Sequence, residues 1–273
     1  MIKNKTKLLT IRKFVRIFVL LFVLFIFFGF IEPLSITHYD YTSDKIPKDF
    51  DGYKIVQLSD FHCKGFGMEE DVLINKIKKS SPDLIVLTGD MVDESHPSDN
   101  LNTLLSGISD IAPIYAILGN HDTMDQKVYN EMLLMFEQYN VTLLPYNHAT
   151  ITKNNSTINI YGTNFTNWAG NCIVASTEGF NLLLFHDANA FPIISKYGFD
   201  VILSGHTHGG IVRIPGIGGL IGNDKKLFPT YTSGKYVNPD TNCTMFASRG
   251  LGDTEIPRFY NSPEIVELTL HSK

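Results

Sequence analysis

The chain has 273 residues, of which 44% are hydrophobic and 19% charged, with a formal net charge of -5. That length can bury a sizeable core and suits one large domain or two small ones once the N-terminus is set aside. The acidic balance excludes a basic nucleic-acid footprint, and three cysteines with no CxxC exclude a disulfide framework.

The N-terminus carries Lys3, Lys5, Lys7, Arg12, Lys13 and Arg16 ahead of an apolar run from Phe14 to Ile31. A run of that length predicts a single-pass transmembrane anchor. The basic flank predicts a cytoplasmic tail and an extracytoplasmic main domain on a cell membrane. The segment Gly29-Phe-Ile-Glu-Pro33 has no Ala-x-Ala-like cleavage site, which favours a retained anchor over a signal peptide. The expected organisation is therefore tail and anchor over 1–33, a polar tether over 34–50 and one domain over 51–273.

From Tyr53 the pattern becomes regular. Residues 53–58 predict a buried strand that ends at Ser59-Asp-Phe-His62. Leu73 and Ile77 predict a helix over 69–79, stopped by Pro82. Residues 83–88 predict a second buried strand ending at Gly89-Asp90, followed by a helical stretch over 100–110. A third strand, 114–118, ends at Gly119-Asn-His-Asp122, and Val128, Met132 and Phe136 mark a helix over 124–139. Near-continuous apolar strands alternating with helices predict βαβ units, an α/β class.

The second half reads as richer in strands: 141–144, 149–152, 157–161, 181–185, 199–203, 243–247 and 264–270. Residues 163–177 predict a loop. The 181–185 strand ends at His186-Asp187, and the 199–203 strand runs into Ser204-Gly-His-Thr-His-Gly-Gly210. In that turn glycines flank two histidines at i and i+2, so both rings can be aimed into one pocket.

Five strand ends thus carry polar groups: Asp60 and His62; Asp90; Asn120 and His121; His186; His206 and His208. Ligands of open α/β sheets bind beyond the carboxyl ends of the strands. An oxygen- and nitrogen-donor set without sulfur suits Mn, Fe or Zn in an open site more than a closed structural zinc. Cys63 reads as a bystander thiol rather than a ligand, Asp93 and Glu94 as a solvated loop in preference to groups that orient the ligands, and His96 as an ordinary polar residue near Asp90.

Asp-x-His, Gly-Asp-x-x-Asp, Gly-Asn-His-Asp, a separate His and Gly-His-x-His together resemble the signature of the calcineurin-like metallophosphoesterases, over roughly residues 50–270. Ser248-Arg-Gly-Leu-Gly252, Pro257-Arg-Phe259 and Pro263-Glu264 resemble a membrane-associated bacterial branch of that superfamily. The resemblance implies a two-sheet sandwich flanked by helices and two divalent ions. It implies Asp60, His62 and His208 on one ion, Asn120, His186 and His206 on the other, and Asp90 bridging both. His121 would stay off the metals and face the leaving group as the catalytic residue. Two departures stand out: Asp187-Ala188 where a nearby proline is common, and Ile211 where the branch often has glutamine. Arg249 and Arg258 are candidate phosphate contacts, with a surface ion pair or turn scaffold as the alternative. The implied activity is hydrolysis of a phosphodiester or pyrophosphate, of a soluble or lipid-linked substrate, by metal-activated water. A catalytically silent metal-binding or regulatory module at the membrane is the competing reading. The sequence leaves the oligomeric state open.

Overall fold

The computed structural model describes residues 2–93, 98–164, 173–223, 225–253 and 256–273. Glu94, His96 and the middle of the 163–177 loop lie outside these residues. Two six-stranded sheets stack face to face. The first has strand order β1 (Ser35–Ser43), β14 (Glu264–Ser272), β2 (Tyr53–Leu58), β3 (Leu84–Thr88), β4 (Ile114–Ile117) and β5 (Thr142–Leu143). The second runs β12 (Gly234–Val237), β13 (Thr244–Ala247), β9 (Val201–Gly205), β8 (Asn181–Asp187), β7 (Ser156–Thr163) and β6 (Asn147–Lys153). A two-stranded ribbon joins β10 (Val212–Ile214) to β11 (Gly218–Ile221).

The period-2 alternation of the central strands sorts their side chains into layers. In β3, Leu84 and Val86 face the second sheet and pack with Leu182, Leu184, Val201, Leu203 and Phe246. Ile85 and Leu87 point the other way, onto Leu73, Ile77, Leu104, Ile108, Met132 and Phe136. Those residues belong to α2 (Asp71–Ser80), α3 (Asp99–Ile108) and α4 (Gln126–Gln138), whose apolar positions recur three or four residues apart. The Asp125 side chain caps α4 by accepting from the backbone N–H of Lys127 and Val128. On the far side, α5 (Phe191–Ile194) sets Phe191 and Ile194 against Leu183, Phe185 and Ile202. The layers are therefore helix, sheet, sheet, helix, with the strands of βαβ units running parallel.

Beneath the strand ends, buried Gln57 pins the two sheets together. Its amide nitrogen donates to Thr88 Oγ1 on β3 at 2.9 Å and to the Ser204 carbonyl on β9 at 2.9 Å.

Two expectations at the N-terminus are corrected. Residues 34–50 are not a polar tether: 35–43 form β1, paired in parallel with β14 along its whole length. The inward residues of β1 are tyrosines, which read as polar, yet Tyr39 packs on Phe246 and Tyr41 on Phe180. The second correction concerns the anchor. The N-terminus is helical, α1 (Ile2–Gly29), but among the described residues no helix is long and apolar enough to cross a membrane. Arg12, Lys13 and Arg16 confine its charge-free part to residues 17–29. At about 1.5 Å per residue that part measures about 20 Å, short of the ~30 Å hydrocarbon core of a bilayer. Its apolar side chains are nevertheless exposed from Phe14 to Phe28. In the second half, β10, β11 and β12 lie between 211 and 242, where the sequence predicts no element; at three or four residues each they are too short to show an alternation.

Candidate metal centre

The loops that follow β2, β3, β4, β8 and β9 meet at one end of the sandwich, and all the ligand candidates except Asn120 sit at an unusual backbone feature. Asp60, His62, Asp90, His206 and His208 all have positive φ, at 50°, 47°, 53°, 71° and 47°. A non-glycine residue in this region costs roughly 1–2 kcal/mol, and such strain gathers at functional sites. The surrounding hydrogen bonds hold it: Asp60 N–H donates to the Gly89 carbonyl and His62 N–H to the Asp90 carbonyl. His186 sits where the β8–β9 register slips, between Leu184 and Asp187, and such an irregularity re-aims a side chain. Glycines make room: a Cβ on Gly205 or Gly250 would run into Asp60, and one on Gly119 would run into Asp90.

Two groups of ligand atoms result. Asp60, His62 and His208 form one, and Asp90, His186 and His206 the other. In the first, His208 Nε2 lies 3.5 Å from Asp60 Oδ1 and 3.3 Å from His62 Nε2. In the second, His186 Nε2 lies 3.1 Å from Asp90 Oδ2 and 3.3 Å from His206 Nδ1. Asp90 Oδ2 is also 3.9 Å from His62 Nε2, so one carboxylate spans both groups.

Ring orientation is set from behind. His186 Nδ1 donates to the Thr88 carbonyl at 2.8 Å, which leaves Nε2 as the lone-pair nitrogen. His62 Nδ1 faces Asp93 Oδ2 at 3.3 Å, with the same result. Asp93 is thus a buried partner of a ligand and not part of a solvated loop. Its spacing three residues after Asp90 was the available signal.

Asp122 is the residue that pattern reading left without a role. Its carboxylate accepts four backbone N–H groups, from Asp90, Met91, Val92 and Gly119, at 2.8 to 3.1 Å. It therefore shapes the turn that presents Asp90. Burial and the nearby Asp90 charge push its carboxyl up to about 6.

The electrostatics suit cations. Burial opposes charge on Asp90, but His186 and His62 outweigh it and hold the carboxyl well below its usual range. Burial likewise opposes charge on His186, yet Asp90 outweighs it and the ring is pushed up to about 10, so without an ion Nε2 carries a proton toward Asp90 that a bound cation would displace. Burial pushes His208 down to about 3, so it presents the neutral imidazole that metals bind. The Oδ1 atom of Asn120 is buried without a hydrogen-bond partner among the described residues. An orphaned carbonyl oxygen beside two carboxylate–imidazole clusters fits a cation ligand.

His121 stands beside this set. Its backbone N–H donates to Asp90 Oδ1 at 2.8 Å, and its ring meets that of His62 edge-on with centroids 5.0 Å apart. The two arginines are placed otherwise. Arg258 is 1% exposed, and its guanidinium donates to the carbonyls of Gly252, Arg249 and Asn261. Those contacts fit the turn scaffold and not a phosphate contact. Arg249 pairs with Glu264 and donates to Ser35 Oγ at 2.8 Å, tying its loop to β1 and β14. Cys63 is buried with its thiol toward the Met91 carbonyl, outside both ligand groups. Ile211 is buried.

The comparisons agree with this geometry. The family model described as calcineurin-like phosphoesterase matches residues 53–210, a stretch that contains all seven ligand candidates. The chain is similar to the metallophosphoesterase YkuE of Bacillus subtilis, at 32% identity over 89% of this chain and 88% of the relative. It is similar to the phosphodiesterase YaeI of Escherichia coli, at 30% identity over 80% of this chain and 82% of the relative. It is also similar to the UDP-2,3-diacylglucosamine pyrophosphatase LpxG of Chlamydia muridarum, at 25% identity over 86% of this chain and 89% of the relative.

Proposed function

The chain belongs to the calcineurin-like phosphoesterase family, whose members are metal-dependent phosphoester hydrolases, and on that premise we propose that it cleaves a phosphodiester or pyrophosphate presented at a membrane. The observation that carries the reading is the position of Asp90. Its Oδ2 serves two clusters at once, 3.1 Å from His186 and 3.9 Å from His62.

In this reading Asp60, His62 and His208 would hold one divalent ion and Asn120, His186 and His206 the second, with Asp90 shared between the two sets. Mn, Fe or Zn suits the nitrogen and oxygen donors. Bound divalent ions supply Lewis acidity and make water acidic enough to lose a proton near neutral pH. The chain's own groups do the rest. Asp60 and Asp90 offset the cation charge, while neutral Asn120 and His208 leave a positive remainder that attracts phosphate. His121 is half-exposed at the rim of the site and is oriented through its backbone bond to Asp90. In this reading it would protonate the leaving oxygen.

Two relatives bear on the substrate. One is named a phosphodiesterase, and another a pyrophosphatase of UDP-2,3-diacylglucosamine, a lipid-bearing nucleotide sugar. The exposed apolar side chains of α1 support a membrane setting, because a surface that large is covered in a working protein. We take α1 to embed in the bilayer without crossing it, with Arg12, Lys13 and Arg16 at the headgroups.

The test is hydrolysis by the full chain in detergent, loaded with Mn, of an aryl phosphodiester and an aryl phosphomonoester. The diester should be cleaved faster, and Asp90→Asn should lose at least about a hundredfold in rate. Two bound Mn ions with neither ester cleaved would favour the silent binding module instead.

A further inference from the structure

We propose that residues Lys225 to Phe228, together with the C-terminal turn of α1, form a lipid-contacting rim that seats the metal centre at the surface of an anionic bilayer. The inference rests on the membrane attachment proposed above and adds a second, sequence-distant contact.

Leu227 and Phe228 are 66% and 64% exposed, and Ile217 at the tip of the β10–β11 hairpin is 68% exposed. Exposed Lys225 and Lys226 immediately precede the two apolar residues. Apolar side chains flanked by lysines match an interface in which the stems lie in the acyl boundary and the ammonium groups meet anionic headgroups.

These residues are connected to α1. Phe259 packs on Phe25 and Phe30, with centroids 5.8 and 5.2 Å apart. Tyr260 N–H donates to the Gly29 carbonyl, and its hydroxyl to the Phe25 carbonyl at 2.8 Å. Phe259 bridges to Val212, Val212 pairs with Ile221, and Ile221 bridges to Leu227. Three strand spacings, about 14 Å, therefore separate the α1 contact from Leu227. A single lipid surface covers both apolar groups, whereas a protein partner would have to match each independently.

The same rim touches the metal centre. Asn223, two residues before Lys225, donates from Nδ2 to the His206 carbonyl at 2.5 Å. On the other side Lys64, two residues after His62, pairs with Glu32 at 3.7 Å and also with Asp253. Ligand-bearing loops on both sides are thus fastened to the elements that would rest on lipid, which would hold those loops close to the bilayer.

The test uses the full chain with Trp168→Phe and Phe228→Trp, so that position 228 carries the one tryptophan. The protein is mixed with phosphatidylcholine vesicles with and without phosphatidylglycerol, and with acyl chains brominated or not. Circular dichroism checks the fold, and Leu227→Trp is the second probe should Phe228→Trp misfold. With phosphatidylglycerol, the emission should shift to the blue and fall at least twofold on bromination, with a smaller fall in phosphatidylcholine alone. Vesicle-bound protein whose tryptophan stays unquenched at both positions would overturn the rim while leaving α1 attachment intact. A blue shift without bromine quenching would assign the patch to a protein contact and also overturn it. No flotation with vesicles at all would overturn the attachment as well. None of these readings depends on turnover, so loss of hydrolysis alone speaks only to the activity.

Discussion

The Asp122 carboxylate lies directly behind Asp90, accepting its backbone N–H at 2.8 Å while also holding those of Met91, Val92 and Gly119. The carboxylate proposed to bridge the two ions is thus presented by another acid that belongs to neither ligand group. Asp122→Ala should strand four buried N–H groups, each worth about 1–3 kcal/mol when unsatisfied. We expect a loss of about 3–5 kcal/mol in the metal-free protein, measured by denaturant unfolding, together with metal content well below two ions per chain. Unchanged stability with full metal content would remove Asp122 from this role.

Asp93 acts on His62 from the side opposite the ions. Asp93→Ala should free the His62 ring to rotate and change tautomer, and should weaken metal binding about 10–100-fold. Titration calorimetry with Mn reads this directly. Asp93→Asn, which keeps an acceptor oxygen, should recover part of the loss.

His121 separates binding from turnover. His121→Ala should keep both ions and lose about 10²–10⁴ in kcat on an ester with a poor leaving group. An activated aryl ester, whose leaving oxygen needs no proton, should show a smaller loss. Equal losses on both would point to a role in holding the phosphate instead.

Glu70 offers a pH test away from the site. It is buried, it accepts the Phe66 N–H at 3.1 Å, and burial pushes its carboxyl up to about 7 from 4.5. A carboxyl raised in the folded state binds its proton more tightly there than in the unfolded chain. Its contribution is complete below about pH 4.5 and is lost as pH rises through about 7. Glu70→Gln should therefore unfold at a higher temperature than the parent at pH 8. The difference should vanish below pH 4.5. Thermal melts of the metal-free proteins across that window are the measurement, and an advantage that grows at low pH would contradict the assignment.

The βαβ half was legible because its strands are apolar on both faces and each stops at a polar group that no strand interior tolerates. The candidate ligands stand at those stops, and the family resemblance implied their grouping. Strand β1 was hidden because its pairing partner lies 229 positions away, as with Ser35 and Glu264, and its inward side chains are tyrosines. Asp122 and Asp93 were visible as letters within motifs, but only the folded turn reveals that one gathers N–H groups and the other fixes a ring. Arg258 illustrates the converse. An arginine near a glycine-rich loop reads equally as a phosphate contact or as a turn scaffold, and only its burial, with the guanidinium turned inward onto three carbonyls, separates the two.

Each cluster takes its carboxylate from the first sheet and at least one histidine from the second: Asp60 and His62 with His208, and Asp90 with His186 and His206. Neither half of the chain can therefore hold an ion in full. During synthesis His208 emerges about 150 residues after Asp60, so the clusters close only after most of the chain has been made and the halves have met. An ion captured then acts as a non-covalent bolt across the sandwich, and its binding free energy adds to the work of prising the sheets apart. Metal supply would thereby bear on the protein's persistence as well as on its chemistry.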